Sequence, residues 1–134
     1  MRYVFLLAAL ISLVSCGAPQ MLEERVFVVN VKQDEDSLQK YISYHNKIWP
    51  EVEQGFRQAG YRQIRLLRSH HTIVMIITVP KGANLDEMGK KAEAYHPRCA
   101  AWNRLMSGYQ QGVPGTAIGQ TWSEALQMYV FENK

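Results

Sequence analysis

Cysteine is nearly absent from this sequence: Cys16 and Cys99 are the only two in 134 residues. Charge of one sign is also scarce, since 15 basic and 12 acidic side chains leave a net of +3. A chain that binds nucleic acid needs a dense basic face, and this balance provides none. There is no apolar run long enough to span a bilayer, which takes roughly 20 residues. Internal repeats, low-complexity tracts and long charge runs are missing as well. No group of histidines and cysteines has a recognised metal spacing: His70-His71 falls between two strand-like runs, and His96 with Cys99 makes one H-x-x-C pair. Neither a metal nor a cofactor is expected.

What is present begins at the N-terminus. Met1, Arg2 and Tyr3 give a short basic start, Val4 to Val14 is almost wholly apolar, and Leu13-Val14-Ser15-Cys16 closes the run. A short apolar stretch after one positive charge, ended by small residues, is the pattern of a cleaved export signal. The last four residues resemble the bacterial lipobox, in which cleavage falls before a cysteine whose thiol is then acylated. The expectation is a signal peptide over residues 1–15, a lipidated Cys16 with a tether over 16–24, and one α/β domain over 25–134. Losing Arg2 lowers the net charge by one. Cys99 is then the single thiol of an exported body, so no internal disulfide forms and packing alone holds the fold. Gly17 in place of an aspartate after the lipid cysteine favours the outer membrane, periplasmic side.

Along the body the periodicity changes from element to element. Arg25 to Val31 is rich in β-branched residues and reads as a central strand. Asp34 to Ser37 offers helix caps, and apolar or aromatic residues at 38, 41, 42, 45 and 49 follow helical spacing. Pro50 suits a first helical position, so a second segment is expected through Ala59, stopped by Gly60. Tyr61 to Arg68 and Thr72 to Pro80 form a hairpin, Leu85 to Tyr95 is helical, and Pro97 starts a helix to about Met106. Gly108 to Gly119 is a glycine-rich loop of functional length that can cover a site. Ala125 to Phe131 reads as a last strand. The fold class is therefore α+β, a ferredoxin-like β-α-β-β-α-β domain with an antiparallel sheet and both helical layers on one face. Its other face needs cover, which a second copy supplies in a homodimer.

Tyr41 and His45 lie four apart, so on a helix they share a face and can act on one molecule. Imidazole exchanges protons near neutral pH, and a phenol beside it donates or accepts a hydrogen bond. Spacing alone does not separate this pair from a Tyr and a His buried for packing. Tyr41 followed by His45-Asn46-x-Ile48-Trp49-Pro50-Glu51 resembles the signature of the L-rhamnose mutarotases. Cys99-Ala100-Ala101-Trp102 with Met106 resembles a second segment of that family, in which two tryptophans adjoin; here Asn103 stands in the place of the second. Gln63 stands where an asparagine is usual.

The resemblance, from about Arg25 to Phe131, implies a ferredoxin-like domain pairing into a dimeric α/β barrel that acts on a small-molecule sugar without a cofactor. It implies interconversion of the α and β anomers of L-rhamnose or a similar 6-deoxyhexose by acid/base ring opening, with His45 and Tyr41 catalytic. Trp102 and Trp49 then wall the sugar, Asn103 adjoins it, and Arg65 on its strand is a further candidate for binding hydroxyls. The missing second tryptophan sustains one competing reading, a carbohydrate-binding lipoprotein on the same fold that has lost catalysis.

Overall fold

The computed structural model describes residues 19–134, so Cys16 and the leader before it lie outside the described residues. The order is β1 (Leu22–Val31), α1 (Glu35–Asn46), α2 (Pro50–Ala59), β2 (Gln63–Ser69), β3 (Thr72–Pro80), α3 (Leu85–Ala94), α4 (Pro97–Ser107), β4 (Gln110–Gln111) and β5 (Ser123–Ala125). The strands form one antiparallel sheet ordered β2-β3-β1, with β4 and β5 both pairing the far side of β1. That is the ferredoxin-like arrangement.

Local chemistry explains most boundaries. The Asp34 carboxylate accepts from the Ser37 backbone N–H at 2.8 Å and caps α1. α1 stops at Asn46 rather than running to Trp49, because Trp49 precedes a proline and is held extended at φ −66°, ψ 133°. Pro50 then occupies the first turn of α2, whose end is set by Gly60 at φ 98°, a left-handed conformation that glycine adopts without steric cost. Gly55 allows the close approach of α2 to α3: a Cβ there would lie 2.7 Å from the Ala92 carbonyl oxygen.

Strand alternation sorts the sheet into two faces. Val29, Val31, Ile73, Ile77 and Val79 point to the helical side and are buried. Register places Val26 beside Ile76, and Val74 between Val28 and Leu67, on the opposite side. The valines and Ile76 are half-buried, and Leu67 is 53% exposed.

Two expectations are corrected. β1 begins at Leu22, three residues earlier than the tether reading allowed, since Leu22 to Glu24 pair with Thr78 to Pro80. The last strand is Ser123–Ala125 rather than Ala125 to Phe131. Leu126, Met128, Tyr129, Val130 and Phe131 have strand-like composition but are exposed and find no partner strand among the described residues. Apolar composition sets where a segment is content to be buried, and hydrogen-bonded pairing needs a neighbour.

Candidate active site

A cavity of about 720 Å³ lies between the helical layer and the sheet. α1 contributes Tyr41, His45 and Ile48 to it, at the i, i+4, i+7 spacing of one helix face. α4 adds Trp102, Asn103 and Met106, and the sheet supplies Phe27, Leu66 and Met75 as an apolar floor. Gln110 on β4 and Trp122 just before β5 close the side.

The polar groups at one end are ordered. Nδ1 of His45 donates to the Tyr41 backbone carbonyl oxygen at 2.8 Å. A carbonyl only accepts, so this contact fixes the proton on Nδ1 and leaves the Nε2 lone pair of the neutral ring free. Burial lowers the His45 pKa from its ordinary value, and the same backbone contact offsets part of that shift. Tyr41 is 3% exposed. Its phenolic oxygen accepts a hydrogen bond from Nε2 of Gln110 at 3.1 Å, so its own O–H remains available as a donor. Burial raises the Tyr41 pKa, while the Gln110 contact opposes this, and the phenol is therefore protonated across the neutral range. The two rings lie 4.3 Å apart between centroids. A free imidazole lone pair and a free phenolic proton at one wall of a hollow can take a proton from one point of a bound molecule and give one to another.

Trp102, 5% exposed, backs this pair: its ring meets those of His45 at 5.4 Å and Trp49 at 5.3 Å, both edge-on. Trp49 does not line the cavity. Its ring stands behind Trp102, with the Arg98 guanidinium over it at 4.5 Å. Asn103 is at the cavity's edge, its amide donating to Glu93 on α3 at 2.7 Å. Arg65 does not join the site. It alternates with Ile64 and Leu66, which face the helical side, and pairs with Glu24 at 3.0 Å on the other face of the sheet.

Sequence reasoning missed Gln110, Phe27, Met75 and Trp122. Gln110 had a signal, since it lies in the glycine-rich loop whose length already suggested a function. The floor residues had none beyond strand alternation. Cys99 is buried, its thiol donating to the Glu51 carbonyl oxygen at 3.3 Å, a packing role. Nδ1 of His71 hydrogen-bonds the Lys32 carbonyl oxygen, and Nδ1 of His96 caps α4 by accepting from the Arg98 N–H.

A family model described as L-rhamnose mutarotase matches residues 25–132. The chain belongs to the L-rhamnose mutarotase family. Within it, an L-fucose mutarotase of Xanthomonas campestris pv. campestris is 32% identical over 111 residues, covering 81% of this chain and 87% of that protein. A UPF0734 protein of Dictyostelium discoideum is 23% identical over 106 residues, covering 75% and 83%. Among solved structures, the crystal structure of an L-rhamnose mutarotase from Formosa agariphila superposes with a TM-score of 0.56 at 16% identity, covering 82% of this chain and 99% of that one, which is a likeness of fold. Membership makes this chain a carbohydrate isomerase of the mutarotase kind, and the Tyr41/His45 wall is where its geometry offers proton transfer.

Proposed function

We propose that this mutarotase interconverts the α and β anomers of L-rhamnose, L-fucose or a similar 6-deoxyhexose. The observation that carries the reading is the His45 hydrogen bond to the Tyr41 carbonyl, which leaves Nε2 as a base at the cavity wall. The relative's L-fucose and the family's L-rhamnose are both 6-deoxyhexoses, and an apolar floor suits a sugar that carries a methyl group. Nε2 of His45 takes the proton of the anomeric hydroxyl while the Tyr41 phenol gives its proton to the ring oxygen. The bond from C1 to the ring oxygen breaks and an aldehyde forms. Rotation about the C1–C2 bond presents the other carbonyl face, and closure returns both protons. Magnetisation-transfer NMR tests this on L-rhamnose and L-fucose: the protein accelerates exchange between anomer signals, and no acceleration of either sugar removes the proposal.

The acid limb of the pH–rate profile follows from His45. The reactive species is the neutral ring, and burial holds the pKa below the ordinary histidine value of about 6.5. Lowering the pKa extends the neutral form to more acidic pH, so the limb has its midpoint below about 6.5. A midpoint at or above that value contradicts the assignment of His45 as the base.

We further infer a homodimer in which the outer sheet face, with Val26, Val28, Ile76 and Leu67, packs against a second copy. The exposed apolar C-terminal residues support this reading, because Met128 at 97% exposure is costly to leave in water. Light scattering should return twice the mass of one chain, and the pair Leu67→Glu and Ile76→Asp should return one; an unchanged mass for that variant removes this face from consideration.

We also propose that Cys16 is acylated after cleavage before it, which places the enzyme on a bacterial membrane, the periplasmic side of the outer membrane being favoured. More than one acyl chain makes such anchoring stable. Metabolic labelling with a fatty acid should mark the wild-type chain and not Cys16→Ser; equal labelling would exclude the anchor.

A further inference from the structure

The cavity is larger than a single deoxyhexose requires. Its volume of about 720 Å³ sits within the range of about 300 to 1,000 Å³ that encloses drug-sized ligands, and those are molecules of two or three rings. Its length can be read from the sheet. Gln110, beside the catalytic pair, is level with Val31, whereas Gln63 at the other end is level with Thr78 and, through it, with Glu24. Seven residues of β1 separate these levels, which is about 23 Å along the strand. The catalytic pair occupies one end only.

The far end has its own chemistry. Glu53 and Arg57 on α2, with Arg62 and Gln63 at the start of β2, line the cavity there. Arg57 is 3.4 Å from Glu53, and Arg62 hydrogen-bonds Gln20; all these contacts are exposed. A purely cationic end would select an anion. A carboxylate that only accepts, beside guanidinium groups that only donate, matches hydroxyl groups, which donate and accept.

We propose that this far end is a second sugar subsite, and that the enzyme takes the reducing end of a disaccharide or short oligosaccharide, with the next sugar unit held by Glu53, Arg57 and Arg62. The inference rests on the mutarotase reading of the Tyr41/His45 end. Only a reducing-end unit has a free anomeric hydroxyl, so it occupies the His45 end and the glycosidically linked unit extends toward β2. Ring opening is confined to the reducing unit, and the glycosidic bond is untouched.

The test is anomeric exchange at the reducing end of a disaccharide of L-rhamnose, compared with free L-rhamnose, by magnetisation-transfer NMR. The disaccharide should have a kcat/KM about tenfold higher, and in the Arg57→Gln, Arg62→Gln double variant the ratio of disaccharide to monosaccharide kcat/KM should fall about tenfold. Both arginines are exposed, so the variant keeps its fold, and calorimetric titration with the disaccharide gives a second readout that should weaken in parallel. Acceleration of L-rhamnose but not of the disaccharide, or a ratio unaffected by the double variant, overturns the second subsite and leaves the mutarotase reading in place. No acceleration of either sugar overturns both.

Discussion

Replacing His45 with alanine should slow anomeric exchange by about 10²- to 10⁴-fold, the range that one positioned acid/base group contributes. The expectation rests on the tautomer. With Nδ1 committed to the Tyr41 carbonyl oxygen at 2.8 Å, the Nε2 lone pair is the part of the ring left for the substrate. His45→Gln is the informative companion, because an amide can still reach the Tyr41 carbonyl and fill the space beside Trp102 but cannot take up a proton at neutral pH. Both variants should lose exchange to a similar degree while the glutamine variant keeps a melting temperature close to that of the parent. Exchange that survives in either variant places the base elsewhere. Tyr41→Phe separates the second role: the ring stays packed, the donor to the sugar's ring oxygen is gone, and Gln110 loses its acceptor.

Trp102→Ala should be the most destabilising substitution in the site, by about 3–5 kcal/mol, the usual cost of truncating a buried tryptophan. Trp102 belongs to the main core cluster with Val29, Val31, Leu38 and Tyr41, and its ring also meets Tyr44 edge-on at 6.3 Å. A domain of this size has about 5–15 kcal/mol in total, so the loss is a large share of it. Thermal unfolding should move down by roughly 10 to 25 °C. Trp102→Phe keeps much of the buried area and should recover more than half of the loss. A fall of only a degree or two for the alanine variant would mean that Trp102 serves the sugar alone and does not support the core.

The same residue shows why a structural and a functional reading of an aromatic need not compete. Trp102 is buried on the side facing Trp49 and Tyr44 and lines the cavity on the other. Trp49 has the same residue type and comes from the other family segment, yet it is one layer further out, under Arg98. Trp49 caps the start of α2 and Trp102 stands midway along α4, and the packing order of α1, α2 and α4 is what ranks them. Asn103 follows the same logic. In the sequence it marks a missing tryptophan, and in the fold its amide is tied to Glu93 at the cavity's edge. In the sequence Arg65 reads as a hydroxyl binder, a basic residue on a strand beside the site. Alternation sends it to the other face because Ile64 and Leu66 have the inward positions.

Periodicity was enough for the four helices and the central hairpin, since caps, prolines and Gly60 are short-range signals that act on their own neighbours. The helix-face pairing of Tyr41 with His45 was legible for the same reason. The last strand was not: Leu126 to Phe131 has the composition of a strand, and whether such a segment pairs depends on which edge lies beside it, a long-range matter.

By itself, then, the amino-acid order determined the ferredoxin-like element sequence, the family motif around His45 and the acid/base character of its helix face, because each is written in spacings of a few residues. Only the tertiary structure decided that Nε2 is the free nitrogen of His45, that Gln110 holds the Tyr41 hydroxyl, that Trp102 rather than Trp49 walls the hollow, and that the hollow extends to Arg57 and Arg62. Those facts join residues as many as 69 positions apart, and proximity across such separations is produced by packing helices on a sheet, which no local pattern encodes.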